Sequence, residues 1–280
     1  MKTAKAVPVL MYHHVSPNPG LVTVSPENFR AQMRHLAEHG WRTLGLDDLA
    51  RFLSGSPLPE KSIVITFDDG YLDNWVHAHP VMAEFGLHGV IFIVTGWIGG
   101  GAPRPHAGAS KLCAGETSPL PATPDHKTCK RLIASGRADE VMLRWSEIEA
   151  MIAAGTFEFH SHTHTHTRWD QIETDPEKRL ARLAADLHDS RETLRERLGK
   201  TTAHLCWPWG LDLAGYGQTA DKLGYRYRYT TKRGVLMPTM GRDSIPRIVI
   251  KNRDGRWFGK RIEIYRRPWL ATAYLALRGA

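Results

Sequence analysis

The sequence predicts an α/β fold, a distorted (β/α) barrel of about seven strands with a long inserted loop. Short apolar runs rich in branched residues alternate with segments of helical period, which is typical of repeated βα units around a largely parallel sheet. A length of 280 residues with 42% hydrophobic content suits one large core. Polar clusters follow two predicted strands, as expected where functional groups gather at the C-terminal end of a barrel.

The first part of the chain contains the strongest helix and strand signals. The first helix follows Ser25, whose hydroxyl suits an N-cap, and ends at Gly40. A short helix follows at 47–53, and a third, after a loop at 68–70, ends at Gly86. Strands are predicted at 7–12, 62–67 and 89–94.

Residues 96–139 break this pattern. They are rich in Gly, Pro, Ala and Thr with little periodicity, so they are predicted to form an inserted loop over one face of the domain. Loops of this length often act as lids. Cys113 and Cys129, near His106 and His126, could form a small zinc site or a disulfide. Their spacing matches no usual ligand pattern, so free thiols in a reducing compartment are favoured.

The second part of the chain returns to regular order. Helices are predicted at 145–154, 176–198 and near 213–223. Strands are predicted at 157–159, 203–207, 227–231 and 245–250. With the earlier strands, these complete the barrel, which is expected to occupy residues 1–250.

The last thirty residues form a basic aromatic tail. Residues 251–280 carry eight Lys and Arg against two acidic residues, which gives +6 of the total charge of +8. They could lie on an anionic membrane surface or bind a phosphate-bearing substrate. The alternative is a last helix and strand that pack their aromatic side chains on the barrel. No nucleic-acid partner is expected, because no binding motif accompanies the charge.

The N-terminal residues predict a cytoplasmic protein. The basic tail is compatible with a position at the inner face of the membrane. The segment before Val9 is too short for the apolar stretch of a signal peptide and lacks its cleavage site, although a leader could have been trimmed. No segment approaches the roughly 20 apolar residues that cross a bilayer.

Two polar motifs together predict a metal-dependent hydrolase. Asp68 and Asp69 end an apolar run, and Gly70 permits the turn that would let both carboxylates face one site. His160, His162, His164 and His166 fall within seven residues, and imidazoles four apart suit a shared metal ion. Taken singly, the first motif could be an exposed turn and the second a solvated run.

With these motifs the sequence resembles the polysaccharide deacetylases of carbohydrate esterase family four, also called the nodulation-deacetylase homology domain. The resemblance rests on residues 66–70 and 161–166 and extends through 10–15, Trp145, 207–210 and 245–248. The additional segments are most similar to the poly-β-1,6-N-acetylglucosamine deacetylase branch. Roughly residues 7–250 are covered.

The resemblance implies a role for each motif residue. Asp69, His162 and His166 are the implied ligands of a divalent ion, expected to be Zn²⁺, although nickel, cobalt or iron suit the same ligands. Asp68 is the implied catalytic base that accepts a proton from the attacking water. A histidine of the N-terminal motif is the implied proton donor to the leaving amine; this is His13, with His14 as the alternative.

The sequence departs from the family pattern at the residue that orients the base. Many members have an arginine before their Pro-aromatic-Gly motif, where this chain has Cys206 and Trp207, so that contact is either missing or comes from Arg247. Trp207, Pro208 and Trp209 are predicted to line a sugar subsite, with a core role as the alternative for one tryptophan, and a backbone N–H near Trp209 to stabilise the oxyanion. His160 and His164 are expected to flank the site without binding the ion.

These residues predict hydrolysis of the N-acetyl group of an acetamido sugar, with release of acetate. The partner would be a glycan, a lipid-linked precursor or a nucleotide-linked sugar. Two alternatives remain: an amide hydrolase of the same fold acting on a cyclic ureide or imide, and a non-catalytic glycan-binding module.

Overall fold

A curled parallel sheet forms the centre of the computed structural model, which describes residues 2–108 and 119–277. In chain order the strands are β1 (Val9–Tyr12), β2 (His14–Val15), β3 (Thr23–Val24), β4 (Arg42–Thr43), β5 (Ser62–Asp69), β6 (Gly89–Ile93), β7 (Phe157–Ser161), β8 (His204–Cys206), β9 (Tyr227–Tyr229) and β10 (Ile248–Val249). Across the sheet the order is β10, β1, β5, β6, β7, β8, β9, with β4 also pairing with β5, whereas β2 pairs with β3 alone. The predicted distorted (β/α) barrel is confirmed.

The segment that follows β9 brings the two edges of the sheet together. Ile245 forms a parallel bridge with Tyr229 of β9, and three residues later Ile248 pairs with Leu10 of β1. Between them, the Arg247 N–H donates to the Lys232 carbonyl at 2.9 Å. Arg247 therefore sits where the barrel closes, and its side chain is fully buried.

Ten α-helices are present in the described part of the chain. They are α1 (Pro26–Glu38), α2 (Leu46–Leu53), α3 (His79–Glu84), α4 (His126–Ala134), α5 (Trp145–Ala153), α6 (Trp169–Ile172), α7 (Pro176–Leu198), α8 (Tyr216–Lys222), α9 (Gly255–Tyr265) and α10 (Pro268–Ala276). The predicted cap is present: the Ser25 hydroxyl accepts a hydrogen bond from the Asn28 N–H at 3.2 Å. Helix α7 has the predicted bounds because Asp175 caps its start and Gly199, at φ 68°, ends it.

The prediction of a loop at 68–70 was wrong for its first two residues. Strand β5 continues through both aspartates because β6 pairs with them, with Asp68 opposite Phe92 and Asp69 opposite Ile93. The chain bends at Asp69 itself, at φ 73°, and at Gly70, at φ 85°. A Cβ at Gly70 would lie 2.8 Å from the Ile93 side chain, so glycine is required there.

The inserted segment was predicted to be a loop throughout. This was wrong for residues 126–134, which form α4. The Asp125 carboxylate accepts a hydrogen bond from the Thr128 N–H and caps the helix. Cys129 is buried in a small cluster with Tyr71 and Met142, which holds α4 against the end of β5. Cys113 lies outside the described residues, and so does its predicted pairing with Cys129. His106 contacts Trp75 and His79, whereas His126 contacts His14 and Tyr71.

The C-terminal residues form two helices, whereas the alternative of a tail packed on the barrel expected a helix and a strand. Phe258 and Ile262 of α9 are fully buried, and a Cβ at Gly259 would lie 2.3 Å from the His35 ring of α1. Helix α9 therefore packs closely on the barrel. Trp269 of α10 is 72% exposed. Across residues 2–108 and 119–277, no helix is both long enough and apolar enough to cross a bilayer.

Candidate metal centre

Three side chains from distant parts of the sequence converge at the C-terminal end of the sheet. The Asp69 Oδ1 atom lies 3.3 Å from His162 Nε2 and 3.4 Å from His166 Nε2. All three side chains are at most 8% exposed. The structure thus brings together the three predicted ligands, one carboxylate oxygen and two imidazole nitrogens.

The loop that carries the two imidazoles is tightly folded. Thr163 and His166 both have positive φ, at 67° and 57°, and the Thr163 hydroxyl accepts a hydrogen bond from the His166 N–H. The Asp186 carboxylate of α7 accepts hydrogen bonds from the His164 and Thr165 N–H groups, at 3.1 and 2.8 Å. These contacts fix His166 one turn away from His162, on the same side as Asp69.

Two further observations indicate that these three side chains suit a divalent ion. The Asp69 Oδ1 atom is buried and receives no hydrogen bond of acceptable direction from a described residue, even though two imidazoles are close. The His162 Nδ1 atom is 2.7 Å from the Cys206 carbonyl, to which only an N–H can donate, so in the neutral ring the lone pair lies on Nε2, which faces Asp69. A buried acceptor without a donor and an imidazole held in this tautomer are typical of metal ligands.

The electrostatics of the three side chains favour a positive charge between them. Burial opposes ionisation of Asp69, but the two imidazoles outweigh it and hold the pKa of Asp69 well below its usual value. Burial opposes protonation of His162, but the Cys206 and Asp69 groups beside it raise its pKa well above the usual value. Burial lowers the pKa of His166 to about 4, so this ring is neutral and free to coordinate near pH 7.

Asp68 has a different partner from Asp69. Its two carboxylate oxygens accept hydrogen bonds from both terminal nitrogens of Arg247, at 2.6 and 2.7 Å. Arg247 also donates to the Thr230 carbonyl and to the Thr66 hydroxyl. Burial raises the pKa of Asp68, but the charge and hydrogen bonds of Arg247 outweigh it, so the pKa lies below its usual value. The arginine that orients Asp68 therefore comes from the segment that closes the barrel.

His13 and His14 point to different surroundings. His13 Nε2 lies 3.9 Å from Asp68 Oδ2, and burial lowers the pKa of His13 despite the two nearby carboxylates. His14 is fully buried, with Nδ1 2.5 Å from the Asp73 carboxylate. Of the two, His13 is the one beside Asp68.

A cavity of about 420 Å³ opens over these groups. Its wall includes Asp68, Asp69, His13 and Trp209, which is 40% exposed and packs on His166 at 4.2 Å. Trp207 and Pro208 do not line it. Trp207 is 1% exposed and packs with Tyr216 in a buried cluster, so the predicted subsite role was wrong for Trp207 and the core alternative holds.

The other two histidines of the run lie outside the ligand set. His160 Nδ1 contacts the Thr202 hydroxyl at 2.6 Å, and His164 Nδ1 contacts the Thr95 hydroxyl at 2.9 Å. The strand ends at Ser161, and the positive φ of Thr163 and His166 in the loop that follows gives the four rings different directions. They flank the site as predicted.

Three residues of the site have roles that were not predicted from the sequence. Asp186 supports the histidine loop, and His126 and Lys130 of α4 line the cavity. A buried acid on the apolar side of a helix is the signal that marks Asp186. The spacing of four between His126 and Lys130 places them on one helix face, but only the position of α4 shows which way that face points.

Comparison with known proteins gives the family. Residues 55–228, more than half of the chain, match the family model described as polysaccharide deacetylase. The chain belongs to the polysaccharide deacetylase family. Both aspartates and the histidine run lie inside the matched residues, whereas His13 and Arg247 lie outside them.

Several proteins that are similar in sequence or in structure are also named as deacetylases. Poly-beta-1,6-N-acetyl-D-glucosamine N-deacetylase of Escherichia coli (strain K12) is 26% identical over 235 residues, 82% of this chain and 34% of that protein. The chain spans about a third of the length of the first curated relatives that it matches.

Two solved structures share the fold. IcaB from Ammonifex degensii superposes with a TM-score of 0.70 and 20% identity, covering 94% of this chain and 98% of that one. Streptococcus pyogenes deacetylase PplD, in complex with acetate, superposes with a TM-score of 0.69 and 21% identity, covering 93% of this chain and 99% of that one. At this level of identity the similarity establishes the fold.

Proposed function

We propose that the protein is a metal-dependent N-deacetylase that hydrolyses the N-acetyl group of an acetamido sugar and releases acetate. The observation that supports it most is the pairing of a three-ligand cluster with a separate carboxylate. Asp69, His162 and His166 would hold the ion, while Asp68 stays free of it through its contact with Arg247. A non-catalytic glycan-binding module would need neither Asp68 nor its buried arginine.

The ion would polarise the amide carbonyl and lower the pKa of the attacking water. Zn²⁺ suits the donor set, and nickel, cobalt or iron would also fit. Asp68 accepts one proton from water as the water oxygen bonds to the amide carbon. Arg247 keeps Asp68 ionised and fixes both of its oxygens, so the carboxylate is ready to accept that proton.

The C–N bond then breaks, and the leaving nitrogen requires a proton. His13 lies 3.9 Å from Asp68, so the proton taken from water can pass from Asp68 through His13 to the amine. This route suits a histidine whose pKa is lowered by burial, because His13 need not be charged beforehand. A backbone N–H near Trp209 would stabilise the oxyanion, and the Trp209 ring would stack on the sugar.

Acetate release from a panel of acetamido sugars and oligosaccharides tests the proposal, with metal-loaded protein and Asp68→Asn compared. We expect the substitution to lower the rate by about two to four orders of magnitude and to leave the metal content unchanged. Asp69→Asn is the matched control, which should lose the ion. Equal rates in wild type and Asp68→Asn would contradict the assignment of the base.

A second panel, of cyclic ureides and imides, tests the competing amide hydrolase hypothesis. Turnover of these rings without acetate release from any sugar would favour that hypothesis. Sugar binding without turnover of any compound by the metal-loaded protein would favour the glycan-binding module.

We also propose that the surface around α10 contacts anionic lipid. The exposed Trp269 ring lies beside a recess lined by Lys2, Lys5 and Arg267, and a tryptophan among cations suits the headgroup region. Deleting residues 251–280 would remove the buried Phe258, so a point variant is the better test. Trp269→Glu should bind less to vesicles with 30% phosphatidylserine than wild type does; equal cosedimentation would contradict the proposal.

A further inference from the structure

A hydrogen-bonded chain of three titratable side chains runs from the protein interior to the cavity. The Asp73 carboxylate lies 2.5 Å from His14 Nδ1, and His14 Nε2 lies 3.1 Å from His126 Nδ1. Asp73 and His14 are at most 2% exposed, whereas His126 lines the cavity together with Asp68 and Asp69. None of the three takes part in the chemistry proposed above.

The proton positions along this chain follow from its acidic end. The Asp73 Oδ1 atom also accepts hydrogen bonds from the Val15 N–H and the Asn74 amide, so this carboxylate acts as an acceptor towards each of its neighbours. His14 therefore carries its proton on Nδ1 and offers the lone pair of Nε2. His126 must then donate from Nδ1, and its own lone pair lies on Nε2.

The His126 ring is held in one orientation. His14 stacks on the Tyr71 ring at 3.9 Å, and the Tyr71 hydroxyl approaches His126 Nδ1 at 3.4 Å. Burial lowers the pKa of His126 to about 4, so the ring is neutral near pH 7. Within the described residues no hydrogen bond reaches Nε2. The cavity thus has a preoriented neutral acceptor on the wall that α4 contributes.

We propose that His126 is a substrate-binding residue whose Nε2 accepts a hydrogen bond from a hydroxyl of the acetamido sugar, and that Asp73 and His14 are positioning residues that keep this nitrogen unprotonated. The inference rests on the proposed function, because it names the group of the substrate that His126 recognises. Sugar hydroxyls are the donors such an acceptor requires. The inserted segment then contributes to substrate recognition through α4.

Replacement of His126 by asparagine separates a binding role from a structural one. An asparagine amide can still donate to His14 Nε2, but it has no acceptor where His126 Nε2 stood. For the best sugar of the panel we expect KM to rise about tenfold and kcat to stay within twofold. His77→Asn, at a half-buried histidine that contacts Thr123 outside the cavity wall, is the matched control. Unchanged KM in His126→Asn would overturn the proposal.

Replacement of Asp73 by asparagine tests the positioning chain. Asparagine would present an N–H to His14 Nδ1, so His14 would carry its proton on Nε2 and His126 would be forced to place its proton on Nε2. We expect the ¹⁵N signals of His126 to report an Nδ1–H ring in wild type and an Nε2–H ring in Asp73→Asn, with KM raised as in His126→Asn. The same tautomer in both proteins would overturn the positioning role.

A binding titration distinguishes failure of this inference from failure of the proposed function. The Asp68→Asn variant is titrated with an N-acetylglucosamine oligosaccharide while the His126 ¹⁵N signals are followed. A shift of the Nε2 signal supports the proposal. Binding that leaves this signal in place overturns the role of His126 alone, whereas no binding of any acetamido sugar overturns the proposed function and this inference with it.

Discussion

Two neighbouring aspartates on β5 have unlike environments. Asp69 meets two imidazoles and has a buried oxygen that no described residue reaches with a donor, whereas both oxygens of Asp68 are held by Arg247. Their side chains can share one cavity because the backbone bends at Asp69, with φ 73°. Identical side chains, one residue apart, thereby become suited to binding a cation and to accepting a proton.

The acid limb of the pH–rate profile should depend on Arg247. This residue lowers the pKa of Asp68, and the base must be ionised to act, so losing the arginine should move the acid limb of kcat/KM to higher pH. We expect a shift of about one pH unit or more for Arg247→Met and a smaller one for Arg247→Lys, which keeps the charge. Denaturant unfolding of both variants controls for lost stability, and an unmoved acid limb in Arg247→Met would contradict the role.

Part of the site could be predicted from local sequence, because the aspartate pair and the histidine run each lie within a few residues. Trp207 and Trp209 could not be told apart, because the turn between them, not their identity, decides which ring is buried. Arg247 is 179 residues from Asp68 in the chain, so only the closure of the barrel establishes their contact.

At the scale of the elements, the histidine loop depends on α7. The Asp186 carboxylate accepts two backbone hydrogen bonds from this loop and one from the Trp169 indole at 3.2 Å. Gly96 adds a second constraint, because a Cβ there would lie 2.6 Å from the His164 carbonyl. The ligand spacing of the loop is thus set by elements on two sides of it.

Removal of the Asp186 carboxylate should weaken metal binding. Asp186→Ala would leave two backbone N–H groups of the histidine loop without their acceptor and free His166 to move away from His162 and Asp69. We expect metal affinity to fall by about 10- to 100-fold. Competition with a chromogenic chelator measures it. Asp189→Ala, at an exposed position of the same helix, should match wild type, and equal affinity in both variants would contradict the supporting role.

Helices with clear caps were the elements best predicted from sequence. Helices α1 and α7 have a capping side chain at one end and a glycine just beyond the other, so local chemistry sets their bounds. Helix α4 has similar end signals, Asp125 at its start and Gly136 just beyond its end, and it was missed because the segment around it has little periodicity. The extension of β5 was missed because a tertiary contact, pairing with β6, holds it.

For the whole molecule, buried neutral histidines should limit stability in acid. Burial lowers the pKa of His79 to about 4 and that of His204 to about 3. Both values lie below the unfolded value of about 6.5, so the unfolded chain binds protons more tightly. The free energy of unfolding is therefore unaffected by these two histidines above about pH 6.5, and it decreases as the pH falls from there towards 4.

His79→Asn should flatten this acid dependence. The Thr156 hydroxyl donates to the Met151 carbonyl, so His79 donates to Thr156 through Nδ1, a contact that an asparagine amide can reproduce. We expect the slope of unfolding free energy between pH 6 and 4.5 to fall by up to about 1.4 kcal/mol per pH unit. Urea unfolding in the presence of a chelator measures it. His188→Gln, at an exposed position, is the control, and an unchanged slope in His79→Asn would contradict the prediction.

The closing segment has a consequence for the newly made protein. Residues 245–249 join the sheet edges and carry Arg247, and they follow both the aspartate pair and the histidine run in the chain. During translation, residues 69, 162 and 166 are therefore all made before Asp68 can receive its guanidinium partner. A ribosome stalled ahead of codon 245 would carry a product that contains the three proposed ligands but lacks both the strand that closes the barrel and the arginine that holds Asp68.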